Sequence, residues 1–339
     1  MTRKTLAFCT SIFTALLFAS ASPVWAQPAA CYFSANVRFL APGVAYDPSS
    51  LAPPPQGAPV GQPYAADLDR AFASAPPAFQ ARLCALDGVF IDTTPCPDVR
   101  ACLGHAWGLR VRNPSAGQGR YIGIPAALWA GRPAYSEFAN HLLHELVPLP
   151  TVGYSRGNPG ADTFATTLLA ALAHEMGHVR WYDIIDPGRV GATNLNAFCG
   201  GHFFASWNGG AAGVHTPPPW RRLLTFSERQ KQPLPDTHRS GFHVRHLDNA
   251  VGTPVYAADL FDQLYMPAAP WASFFAAVSP DEDFAKTYKF KVLTSASPPL
   301  TSLPMTIRGT GGVYRENIPA AYFQGQKPEL ATKVTCIPL

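Results

Sequence analysis

Charge is scarce in this chain. Charged residues make up 14% of its 339 positions, against about 25% in an ordinary soluble protein. The formal net charge is only +4. So mild a balance excludes the broad basic face that nucleic acid or an anionic membrane surface demands. Long hydrophobic runs are also few. The one near the start, from Leu6 to about Ala19, is too short to span a bilayer, and no later stretch qualifies. Stable membrane insertion is therefore not expected. No phosphate-binding loop, dinucleotide fingerprint or internal repeat is found. No C-x-x-C pair occurs, which removes the commonest cysteine-based zinc site.

What is present begins with a leader. Arg3 and Lys4 precede the apolar run, and Val24-Trp25-Ala26 places small residues where a signal peptidase cuts. The expectation is a signal peptide over 1–26, cleaved after Ala26, and a secreted or periplasmic protein. Removing it takes away two basic residues and no acid, so the net charge falls to about +2. Cys9 leaves with it. Six cysteines remain: Cys31, Cys84, Cys96, Cys102, Cys199 and Cys336. An even set in an exported chain reads as disulfides. Cys96 and Cys102 are near enough to close a small loop, and Cys31 with Cys336 would tie the ends together, but spacing alone does not choose a pairing. The 35 prolines are roughly double ordinary usage, so many segments must be irregular connections.

Periodicity and turn residues divide the mature chain into an α+β part over 27–150, a part over 151–295 and a strand-rich tail over 296–339. Tyr32–Phe39 reads as a strand, and residues 42–63 as a Pro/Gly-rich connection. Tyr64–Ser74 and Pro76–Leu86 read as tandem helices. Gly88–Asp92, Trp107–Val111 and Arg120–Ile124 read as strands. Tyr135–Val147 is a helix stopped by Pro148 and Pro150. A further helix follows, capped by Asn158-Pro159 or Asp162 and stopped by Asp186-Pro187-Gly188. Residues 187–253 read as long loops. Val255–Met266, Trp271–Val278 and Pro280–Leu293 read as helical, and Pro304–Arg308 and Lys333–Ile337 as strands.

The chemistry concentrates in His174-Glu175-Met176-Gly177-His178, an H-E-x-x-H sequence. It ends an apolar stretch, Phe164–Ala173, that carries no charge. Helical residues four apart share a face, so His174 and His178 can offer two imidazoles to one ion. Glu175 lies one step round the helix, placed to take a proton from water that the ion activates. An acid at the end of an Ala/Leu helix needs compensation, and a dication supplies it. Gly177 costs about 1 kcal/mol against Ala in a helix interior; close approach of another segment would explain it.

A catalytic zinc takes a third protein ligand. The H-E-x-x-H-x-x-G-x-x-H pattern is excluded, because Trp181 and Ile184 stand where it needs Gly and His. Asp183 and Asp186 do not fit its spacing either. About a hundred residues on, Ser279-Pro280-Asp281-Glu282-Asp283-Phe284-Ala285-Lys286-Thr287-Tyr288 opens a helix. By itself that segment is explained as an N-cap, a proline at the first position and a capping box. Together, H-E-x-G-H and the later E-D-F-A resemble the gluzincin-type zinc metallopeptidases related to the anthrax lethal factor catalytic domain. The resemblance covers these two short motifs. It implies a zincin-like α+β domain with a small sheet packed on the H-E-x-x-H helix. It also implies Zn2+ held by His174, His178 and Glu282, and Glu175 as general base. The chain departs from the group at two positions. A supporting Glu is replaced by Lys286, which must point away or yield that role to Asp283. An oxyanion-stabilising Tyr is replaced by Phe275, leaving Tyr265, Tyr256, His243 or His246 as substitutes.

Other clusters read more simply. His141-Leu-Leu-His144-Glu145 lacks an inverted zinc-motif order and reads as helix surface. His243 and His246 read as a solvated loop. Cys199 and His202 have the makings of nucleophile and base, but Cys199 belongs to the even, oxidised set. The resulting expectation is a secreted, disulfide-stabilised zinc metallopeptidase acting on a peptide or protein substrate, with nothing to fix its oligomeric state. The alternatives are a non-catalytic exported zincin-like protein that binds a protein partner, and a metal-free binding module in which His178 has no special role.

Overall fold

The computed structural model of the chain describes residues 31–42, 53–94, 107–113, 117–146, 152–185, 199, 202–205, 272–273, 276, 280–309, 312–317 and 328–339. Five strands build the first sheet: β1 (Val37–Leu40), β2 (Gln56–Pro59), β3 (Gly88–Asp92), β4 (Trp107–Asn113) and β5 (Gly117–Pro125). Their order is β2-β1-β3-β5-β4. The pairs β1–β3 and β3–β5 are parallel, while β2 and β4 add antiparallel edges. Parallel neighbours need a crossover. For the β1–β3 pair two helices supply it, α1 (Tyr64–Ser74) and α2 (Pro77–Cys84). Val37 lies beside Val89, and Val89 beside Ile122, so the buried β-branched residues of three strands form one band.

The sequence reading of α1, α2, β3, β4 and β5 holds within a few residues. Tyr32–Phe39 is corrected: Phe33–Asn36 is a 3-10 helix, and the strand begins only at Val37. Inside the expected connection, Gln56–Pro59 forms β2. It has no apolar alternation to announce it, and its backbone pairing with β1 decides its form.

Three helices follow β5: α3 (Ala127–Gly131), α4 (Tyr135–Leu146) and, after β6 (Val152–Tyr154), α5 (Phe164–Ile185). Arg132 ends α3 in the left-handed region, with φ of 41°. Its guanidinium forks onto buried Asp67 of α1 at 2.6 and 2.7 Å and lies over the Phe164 ring at 4.7 Å. One side chain thus pins α1, α3 and the start of α5. The expected cap at Asp162 or Asn158 is corrected as well. Thr163 Oγ1 accepts from the Thr166 amide, the N-cap bond. Asp162 instead accepts from Ser136 N, Ser136 Oγ and Gly157 N, all within 2.8 Å, and so joins the starts of α4 and α5.

Helix α5 is apolar on nearly every side. Leu168, Leu169, Ala170, Leu172, Ala173, Met176 and Val179 are all buried. Such a helix belongs inside a protein. It lies against β4, β5, α1 and α4, and most extensively against α7 (Pro280–Thr294).

Of the remaining elements, two short helices contact α7. Helix α6 (His202–Ala205) and helix α8 (Pro328–Cys336) both pack on it. Strands β7 (Pro304–Gly309) and β8 (Gly312–Asn317) join β6 in a second, antiparallel sheet of order β6-β7-β8. The expected strand over Lys333–Ile337 is corrected to α8 and its exit. Leu330, Lys333 and Ile337 are fully buried, a spacing of three and four that is helical. Cys336 bonds Cys199 across a Cα separation of 5.4 Å, so the expected Cys31–Cys336 tie is wrong. Cys31 and Cys84 are each disulfide-bonded too. Cys96 and Cys102, the readings of Val255–Met266 and Trp271–Val278, and nearly all of 187–253 lie outside the described residues. The fold is therefore mixed α and β with disulfides, which suits an oxidising compartment. Among the described residues, no helix is long and apolar enough to cross a membrane.

Candidate metal centre

Helix α5 sets the first two donors. His174 and His178 are one turn apart, and their rings stand nearly perpendicular at 81° with Nε2 atoms 3.3 Å apart. Helix α7 crosses α5 beside them. The crossing is close because Gly177 lacks a side chain: a Cβ there would meet Ala285 Cα at 2.6 Å. That confirms the sequence reading of Gly177 as a point of close approach.

The crossing delivers Glu282. Its Oε2 lies 3.5 Å from His174 Nε2 and its Oε1 lies 3.5 Å from His178 Nε2. The structure thus brings together the three expected donors, all within 4.8 Å of one another. Donors held 2.0–2.1 Å from a tetrahedral ion stand about 3.3–3.4 Å apart. The observed triangle has that size, so a single metal ion fits between the donors.

Protonation suits the same purpose. Burial and the Lys286 ammonium push His174 well below its ordinary pKa, toward the neutral form that ligates metal. Burial opposes ionisation of Glu282, yet His174, His178 and Lys286 hold it below the usual carboxylate range. Two imidazoles and one carboxylate are a donor set that a divalent transition metal takes. Glu175, also on α5, is buried, with Oε1 3.9 Å from His174 Nε2. It stands beside the triangle rather than in it.

Two expectations about Glu282's neighbours are corrected. Asp283 does not support the site: its Oδ2 accepts from the Lys333 ammonium of α8, and both side chains are fully buried. Lys286 does not point away into solvent. It is 4% exposed, and Glu282 and Glu175 both act to keep it charged against the cost of burial. Its inward placement had a signal in the sequence, since 282 and 286 are one helical turn apart. Lys289, at the next turn, follows the same face and was passed over.

The competing clusters do not assemble. Asp183 pairs with Arg120 and Arg180 at 3.2 and 2.9 Å. Cys199 is in its disulfide and so is no nucleophile. The side chains of His144 and Glu145, and residues Asp186, His243, His246, Tyr256, Tyr265 and Phe275, lie outside the described residues. Gly153-Tyr154-Ser155-Arg156-Gly157 has the G-x-S-x-G spacing of a nucleophile elbow. An elbow turns straight from strand into helix, whereas α5 starts only at Phe164 and Ser155 donates its amide to Pro304 O at 2.7 Å. Comparison of the chain with protein-family models, with curated proteins and with solved structures gives no match.

Proposed function

We propose that this chain is a zincin-like, zinc-dependent metallopeptidase of an exported, disulfide-stabilised type, with a peptide or protein as its substrate. The observation that carries the reading is the His174–His178–Glu282 triangle with Glu175 at its side. His174, His178 and Glu282 would hold the metal, the three protein ligands that a catalytic zinc takes. Zinc, when bound there, supplies Lewis-acid activation of water and of the peptide carbonyl. Glu175 accepts the proton of the attacking water and returns it to the leaving amine. The low exposure of Glu175 keeps water from competing for its carboxylate.

A second reading is favoured by one observation. Lys286 places a buried cation beside Glu282 and Glu175, which weakens the hold on a dication and dampens a carboxylate base. An exported protein that keeps this scaffold and binds a protein partner without hydrolysis accommodates it. Metal content tests both readings against chance. The mature, oxidised protein is expected to carry close to one zinc per molecule after loading, and Glu282→Ala to lose it. A wild-type protein that takes up no zinc would retire the metal site and the peptidase with it.

A further inference from the structure

Lys289 of α7 is a lysine set into an apolar wall, only 7% exposed. It lines a small cavity between α7 and α4, whose other walls include Tyr135, Phe138, Leu143, Phe290 and Leu303. Its Nζ rests 4.5 Å from the Phe290 ring and 5.6 Å from the Tyr135 ring. Among the described residues it has neither an ion-pair nor a hydrogen-bond partner, and no acid lines the cavity. Enclosure of that kind disfavours the charged form of an amine. Burial first, and Lys286 second, push Lys289 well below the ordinary lysine pKa, against the pull of Glu282. The amine therefore stands as the neutral base far more than an exposed lysine does. A neutral amine keeps the lone pair that an ammonium has given to its proton, and it is a nucleophile. Desolvation in an apolar pocket is one of the arrangements that activate a lysine toward carbonyl compounds.

We infer that the Lys289 cavity is a Schiff-base site, in which this amine captures a short aliphatic aldehyde. Nζ adds to the carbonyl carbon, forming an N–C bond as the C=O double bond opens. The oxygen then leaves as water with both amine protons, and the C=N bond closes. No oxidant, reductant or metal enters the step. The cavity volume of about 30 Å³ has room for one or two water-sized groups. An imine made from acetaldehyde leaves two carbon atoms there, the oxygen having departed. The apolar walls favour an alkyl substituent over a polar one. Lys289 is not one of the metal donors, so the site stands apart from the peptidase reading.

The test treats the full mature chain, chelated and at neutral pH, with acetaldehyde and cyanoborohydride. The hydride reduces each imine to a stable N-ethyl amine, and mass spectrometry reads the rate of labelling at every lysine. Lys289 is expected to label about tenfold or more faster than any other lysine, the factor that one pKa unit of extra neutral amine supplies. Benzaldehyde, too large for the cavity, is expected to reverse that preference. Lys289→Met is expected to lose the fast site while the other lysines label at their wild-type rates. Labelling of Lys289 no faster than of the others, the same preference with benzaldehyde, or a fast site that survives in Lys289→Met overturns the inference. Should Lys289→Met fail to fold, the rates at each lysine of the wild type still decide. Neither metal nor hydrolysis enters the measurement, so a failed peptidase assay and an unreactive Lys289 are separate results.

Discussion

Gly177 of α5 and Ala285 of α7 meet backbone to backbone: a Cβ on Gly177 would lie 2.6 Å from Ala285 Cα, 3.0 Å from its Cβ and 3.3 Å from its carbonyl oxygen. This contact sits between the two histidines' helix and the helix of Glu282. It sets how near the carboxylate comes to the imidazoles. Neither residue touches a metal, yet together they fix the size of the donor triangle.

Gly177→Ala therefore tests the crossing. In an isolated helix the change would add about 1 kcal/mol. Here the neighbouring atoms are backbone and cannot swing aside, so overpacking should cost about 1–3 kcal/mol and leave a net loss of stability. The helices must part by some tenths of an ångström, which lengthens the distances to Glu282. Thermal unfolding and zinc affinity, measured together, should both fall. A stabilised variant with unchanged zinc affinity would show that the helices do not cross as closely as described.

What could be read in the sequence was mostly local. Gly88–Asp92 carries its own turn boundaries and apolar run, and Tyr64–Ser74 its own helical spacing, so both were legible. Gln56–Pro59 was not, because only pairing with β1 makes it a strand. Lys333 misled the reading of the tail: a lysine in a fully buried position looks polar on paper, and its partner Asp283 lies some fifty residues earlier. The two histidines were legible from helical spacing. Glu282 was not legible from its own segment, where a capping box explains it as well. It needed the crossing at Gly177, or a resemblance that stands for one. The inward course of Lys286 and Lys289 followed from the same i, i+4, i+7 rule, but a cation there ran against the expected chemistry.

The Lys333–Asp283 pair predicts an asymmetry. Both side chains are fully buried, and the pair ties α8 to the residue next to Glu282. Lys333→Met should cost about 3–5 kcal/mol, because Asp283 is left as an uncompensated buried charge. The double variant Lys333→Met with Asp283→Leu should recover most of that loss, since apolar groups of similar volume replace a buried pair at little cost. Chemical denaturation of the two variants checks this. Equal losses in single and double variants would mean the pair itself, and not the stranded charge, carries the stability.

Tyr288 makes a prediction with a pH sign. It is fully buried between Phe79 and Phe284, and among the described residues its hydroxyl has no hydrogen-bond partner. Burial pushes its pKa up to about 12, against the pull of Arg82 and Arg180. The folded value thus exceeds the unfolded value of about 10. Stability from this group is complete below pH 10 and is lost as pH rises toward 12, by up to about 3 kcal/mol. Tyr288→Phe should remove that alkaline loss and, at neutral pH, stabilise by about 1 kcal/mol through deletion of an unpaired hydroxyl. A variant that is less stable at pH 7, or that keeps the full alkaline slope, would show that the hydroxyl is well bonded.

Glu175 separates hydrolysis from mere binding. Its carboxylate stands 3.9 Å from His174 Nε2 but outside the triangle of donors. Glu175→Gln keeps shape and burial, and removes only the capacity to take a proton. Zinc stoichiometry should therefore stay near the wild-type value. Peptide hydrolysis should drop by about 10²–10⁴, the range in which a general base contributes. Loss of zinc in Glu175→Gln would instead place this carboxylate among the ligands and change its role. Retained hydrolysis at the wild-type rate would remove Glu175 from the chemistry. The decisive comparison comes from a wild-type protein that holds zinc but cleaves no peptide in a broad mixture. In that case Lys286 has changed what the scaffold does, and the metal serves recognition. A wild type that cleaves, beside a Glu175→Gln that binds zinc and does not, would instead mean that this buried cation is compatible with a working base one helix away.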